Sequence, residues 1–187
     1  LNFGQPERLE EAKTGINRYQ LFDRLASTAD AGSGGVIYFP YMMGERAPLW
    51  NSHAKGMFIG MTLSTGRAEY VRAILEGTSF CVRHILDDAQ KSGATINHVR
   101  SSGGGSKSDI WLQIKASMLH QPIHVPDAKT GDVPFGDALL AGAAVGIYPD
   151  IGKSAKELVK IKRIIDPIPE WERRYDELYQ HHPLWFC

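Results

Sequence analysis

The stretch that most constrains this chain is residues 99–113, Val-Arg-Ser-Ser-Gly-Gly-Gly-Ser-Lys-Ser-Asp-Ile-Trp-Leu-Gln. A short β-type start runs into Gly103, Gly104 and Gly105 and then into a helical pattern. Consecutive glycines weaken both helix and strand, so they mark a turn whose backbone can adopt conformations closed to other residues. A strand that passes to a helix through such a turn is half of an α/β unit. Glycines also admit a ligand close to the backbone. The helix start beyond them offers unpaired N–H groups and a partial positive charge, a setting suited to phosphate or to the polar edge of a nucleotide. Tight packing explains such a turn equally well, and the loop alone does not choose.

The rest of the chain fits the same architecture. Residues 6–31 read as helix, with Leu21, Phe22 and Leu25 at helical spacing and Gly32-Ser33-Gly34-Gly35 as the stop. Residues 36–41 are an apolar, β-branched and aromatic run, hence a buried strand. Residues 55–63 suggest a short strand or turn. The strongest helix spans 67–92, where Val71, Ile74, Leu75, Val82, Ile85 and Leu86 recur at three and four residues before Gly93. Strands follow at 96–101 and at 123–125, the second set off by Pro122 and Pro126, with a helix over 109–119 between them. Residues 135–146 form a helix of small residues, 151–169 a linker, and 170–179 a last helix. This alternation implies an α/β layered domain with at least partly parallel strands.

Composition narrows the function classes. The 187 residues are 43% hydrophobic and 22% charged, enough apolar matter for a core. Lys plus Arg and Asp plus Glu both number 21. Nothing in this balance suggests a nucleic-acid partner, which would call for a basic face, or attachment to a membrane surface. No run reaches the roughly 18 apolar residues of a membrane span. Residues 1–20 have no signal-peptide pattern. Two cysteines, Cys81 and Cys187, do not make a disulfide scaffold, and a reducing cytoplasm is the expected setting. Two familiar nucleotide loops fail here. No third glycine completes G-x-G-x-x-G after Gly105, and Gly152-Lys153-Ser154 lacks the upstream glycine of a Walker loop, because Ile147 stands there. That tripeptide reads as an exposed helix start.

Four segments together resemble the FGGY family of carbohydrate kinases. Gly103-Gly104-Gly105 with Ser108, Trp111 and Gln113 resembles the adenosine-binding loop of that family. Gly56, Phe58, Gly60 and Met61, followed by Glu69, Ala73, Ile74, Leu75 and Glu76, match its C-terminal signature, with a departure at Tyr70. Phe39-Pro40-Tyr41 with Gly44-Glu45-Arg46-Ala47-Pro48 is similar to a loop of xylulokinases and gluconokinases. Phe135-Gly136-Asp137-Ala138 with Leu140-Ala141-Gly142 resembles the small-residue helix beneath the nucleotide.

The resemblance implies an actin-like ATPase (ribonuclease H-like) fold, with this chain as the C-terminal half of a two-domain sugar kinase and residues 151–187 as its helical tail. It implies ATP and Mg²⁺ as cofactors. The implied reaction is phosphorylation of a sugar hydroxyl, with xylulose or a related ketose favoured and gluconate next. Gly104 sits where relatives place a backbone contact to adenosine, Gly103 and Gly105 shape the loop, and Ser108 stands where some relatives use Asn against the base. The general base, the triphosphate hairpin and the metal carboxylates belong upstream in the family. None of their motifs occurs here, so no catalytic residue is assigned and no metal ligand either. The sugar is expected to reach the enzyme through an N-terminal domain that this chain lacks. A non-catalytic nucleotide-binding module remains the alternative, and assembly as a homo-oligomer stays open.

Other residues carry blander expectations. Asp23, Asp30, Asp87 and Asp88 read as surface charges, Trp50 and Trp111 as packing residues, and Met42 and Met43 as core filling. Glu45 and Arg46 either order the loop near the interdomain cleft or form a structural ion pair. His120 and His124 cannot share a helical face across Pro122. His181-His182 is at most a weak metal site, and Trp171 and Trp185 cover surface.

Overall fold

The computed structural model describes residues 4–127, 131 and 133–180. The first expected helix is two. α1 (Gln5–Thr14) ends at Gly15 in the left-handed conformation, and α2 (Arg18–Ala26) starts afresh at Asn17, whose side chain accepts the Tyr19 N–H at 2.9 Å. A left-handed glycine followed by an Asn cap is a stop and a start, and the helical spacing on either side hid it.

β1 (Ile37–Phe39) pairs antiparallel with β2 (Met57–Ile59), and α3 (Arg67–Lys91) lies across β1. The approach is close because Gly77 has no side chain: a Cβ there would collide with the Tyr38 carbonyl. β3 (Val99–Arg100) leads through the glycine loop into α4 (Asp109–Leu119) and then β4 (Ile123–Pro126), which runs parallel to β3. α5 (Val133–Ala144) follows. The expected linker is instead α6 (Ile151–Leu158) and β5 (Ile161–Ile165), the latter antiparallel to β4, and the chain continues to α7 (Pro169–Gln180). β5 alternates no clear apolar face because it is an edge strand, so its Ile161 and Ile164 stay exposed. Gly152 and Lys153 start α6 in solvent, capped by Asp150.

α4 is the centre of the molecule. Ile114 and Met118 join Ile37, Phe39, Phe80, Tyr175 and Tyr179 in one buried cluster, while Leu112 and Ala116 pack on Ile123 and Val125 in another. A helix buried on two faces is held without freedom to tilt, so the loop at its N-terminus inherits a fixed position.

Several side chains depart from expectation. Met43 is 98% exposed and Met42 66%, and Trp50 is 79% exposed, so none of them fills the core. α5 packs with α6, the Tyr148 ring in the turn between them closes on Gly142, and Leu140 is 62% exposed. Glu45 is buried and its carboxylate accepts the Trp50 N–H at 2.8 Å, so it orders its own loop, and no Glu45–Arg46 ion pair forms among the described residues. Asp23 is half-buried and hydrogen-bonded, unlike the exposed Asp30 and Asp88. Trp185, His181, His182 and Cys187 lie outside the described residues.

Candidate functional site

The glycine loop sits at the carboxyl ends of β3 and β4, where open α/β sheets bind their ligands. Gly103 has φ 73°, a conformation that favours glycine, and residues 104–107 form one 3₁₀ turn. That turn closes on Gly103, whose carbonyl accepts both the Ser106 N–H at 3.2 Å and the Ser106 hydroxyl at 2.8 Å. A cavity of about 480 Å³ opens beside it. Ser102, Gly103, Gly104, Ser106 and Lys107 form one wall, and Val125 and Pro126 from β4 with Lys162 and Arg163 from β5 form the other. This volume lies within the range of small-molecule sites.

The three glycines serve different ends. Gly105 is required by packing, since a Cβ there would lie 2.9 Å from the Trp111 ring. Gly103 is required by its positive φ. Gly104 is required by neither: its φ is ordinary and a Cβ would meet nothing within 4 Å. It lines the cavity.

Ser108 is placed differently from the glycines. Its Oγ accepts the Trp111 N–H at 3.2 Å, capping α4, and donates to Asp23 Oδ1 at 2.8 Å. Its donor is therefore committed to the fold, and it does not line the cavity. Burial pushes the Asp23 carboxyl up despite the Ser108 hydrogen bond, and the nearby Asp109 charge adds to the rise.

Cations missed by the sequence reading surround the loop. Lys115 stands over the Trp111 ring at 4.0 Å, with its Nζ 3.4 Å from Ser101 Oγ, and burial pulls its pKa down. Lys162 and Arg163 arrive from the segment read as a linker. The spacing of Lys115 four residues after Trp111 signals the first contact, whereas nothing local announces β5.

The family model for the C-terminal domain of the FGGY family of carbohydrate kinases matches residues 2–145. The chain belongs to that family. A ribulokinase of Bacillus licheniformis is 33% identical over 181 residues, covering 93% of this chain and 33% of its own length. The ligand-bound xylulose kinase of Lactobacillus acidophilus superposes with TM-score 0.78 at 28% identity, over 98% of this chain and 37% of that one. The Plasmodium falciparum glycerol kinase with ADP superposes with TM-score 0.71 at 25% identity, over 95% and 36%. The chain thus spans about a third of the length of the curated relatives it matches. Its fold is that of the C-terminal part of an FGGY sugar kinase, in the actin-like ATPase class. The glycine loop lies inside the FGGY match, and β5 lies beyond its end. Among the described residues no helix is long and apolar enough to cross a membrane.

Proposed function

We propose that this chain supplies the adenosine-binding part of an ATP-dependent sugar kinase that transfers the γ-phosphoryl group to a sugar hydroxyl, with xylulose or a related ketose as the favoured acceptor and gluconate as the alternative. The observation that carries the reading is Gly104. A glycine that neither packing nor backbone conformation requires, on the wall of a cavity at the strand ends, is the residue that lets a ligand approach the main chain. Gly103 and Gly105 shape the turn around it, and Ser108 serves the site by holding α4 through its cap. A base contact through the Ser108 hydroxyl proton is incompatible with its bond to Asp23. Lys107 and Lys162 supply positive charge around the cavity, which favours the anionic tail of a nucleotide over a neutral ligand.

Mg²⁺ accompanies ATP in this reading and neutralises developing charge on the phosphates when bound. Among the described residues no group of three or more His, Cys, Asp or Glu converges as a metal site, and no residue of this chain is assigned to hold the ion. What the chain's own residues do is bind and orient. The cytoplasm is the proposed setting, as the two cysteines without a disulfide scaffold suggest.

Calorimetric titration of the chain with MgADP, beside a Gly104→Arg variant, tests the reading. Binding that the variant abolishes without loss of folded structure supports it. A folded wild-type chain that fails to bind overturns the assignment of an adenosine site to this chain.

A further inference from the structure

Arg163 joins two parts of the chain that the sequence separates widely. From edge strand β5 its Nη1 lies 2.6 Å from Asp109 Oδ1, at the first residue of α4. Its Nη2 donates to the Ser106 carbonyl at 3.3 Å. Ser106 is the residue that closes the turn on Gly103. A single guanidinium therefore grips the exit of the glycine turn and the start of the helix it feeds. Gly104 lies between the two anchor points of that turn. The planar fork of Arg suits this double grip, and an ammonium group lacks it.

The bridge also has an electrostatic consequence. Asp109 places a carboxylate at the helix start beside a cavity otherwise rimmed by cations. Paired with Arg163, that charge is cancelled locally. On an exposed surface such a pair contributes little to stability, so its value to the protein has to be sought in the loop it shapes.

We propose that Arg163 is a positioning residue for the nucleotide: it holds the Gly103–Ser106 turn in the shape that presents Gly104 to the adenosine, and does not itself bind the phosphates. This rests on the nucleotide reading above. It extends the working site beyond residue 145, where the family match ends.

The test is calorimetry of the 187-residue chain with two probes, ADP and adenosine, for wild type, Arg163→Gln and Arg163→Lys, with thermal melting of each. A positioning residue predicts that Arg163→Gln weakens both probes by the same factor, on the order of tenfold, with the melting temperature unchanged. Arg163→Lys recovers part of the loss, since it restores charge opposite Asp109 without the fork. Loss of ADP affinity alone would make Arg163 a phosphate ligand and overturn the proposal, and so would unchanged affinity for both. If wild type binds neither probe, the nucleotide reading fails and takes this role with it. Should Arg163→Gln not fold, Asp109→Asn releases one of the two grips. Its adenosine affinity must then fall, and an unchanged value overturns the proposal.

Discussion

At the scale of single residues the loop separates chemistry from packing. Gly104→Ala adds a methyl group to open space in a helical turn, so its stability should stay within about 0.5 kcal/mol of wild type while ADP affinity falls. Gly105→Ala drives its Cβ against Trp111 and should lower the unfolding free energy by about 1–3 kcal/mol. Chemical denaturation of the two variants in parallel checks the contrast, and equal destabilisation would mean that Gly104 is structural after all. Asp23 gives a pH signature. Its folded pKa is raised above the ordinary 3.8. The protonated form is thus favoured by folding, and the associated stability is complete below that value and disappears as pH rises through the folded pKa. Asp23→Asn keeps an acceptor for Ser108 and removes the charge. The variant should match wild type near pH 3 and be at least as stable at pH 7, and a variant that is weaker only at pH 7 would contradict the burial argument.

Elements are locked together by one buried network. Arg72 Nε lies 2.7 Å from Glu76 Oε1 within α3, and both are buried. Arg72 also donates to the Ala29 carbonyl at 2.9 Å and to the Tyr175 hydroxyl at 3.0 Å, with the Trp171 ring 4.4 Å from its guanidinium carbon. Glu76 in turn receives the Gly32 N–H at 3.0 Å, the Ser33 hydroxyl at 2.7 Å and the Tyr175 hydroxyl at 2.9 Å. Burial alone would pull the Arg72 pKa down, but Tyr175 and Glu76 outweigh it and hold the guanidinium charged. The network ties α3, the turn after α2, and α7 into one body. Glu76→Ala leaves a buried cation unpaired and should cost about 3–5 kcal/mol. Tyr175→Phe, which removes one hydroxyl, should cost about 1–3 kcal/mol. Urea denaturation of both variants measures the difference, and a cost below that of Tyr175→Phe for Glu76→Ala would mean that the network is not the lock.

For the whole molecule the expectation is binding without turnover. Phosphoryl transfer needs a base for the hydroxyl and a metal ion positioned on the phosphates. The residues that line the glycine cavity include no carboxylate to act as that base or to hold that ion. The 187-residue chain should bind ADP and produce no sugar phosphate from ATP and xylulose in a coupled assay. Steady turnover by this chain alone would show that a base and metal ligands have been overlooked in it.

The sequence by itself determined the local events. The three glycines between a β-type run and a helix, the apolar period of 67–92 and the proline-bounded strand at 123–125 are each decided within a few residues, and each appears in the fold. The four motifs in order likewise determined the family. Tertiary structure alone decided the assignments that depend on distant partners. Asp23 becomes an anchor for Ser108 85 residues away, and Arg163 grips Ser106 57 residues away. Met42, Met43 and Trp50 face outward despite their apolar side chains. β5 has no apolar alternation because its edge position and its antiparallel partner, not its own sequence, make it a strand. Periodicity reports what a residue's own element requires; the partner that meets it across the fold is fixed only when the chain closes on itself.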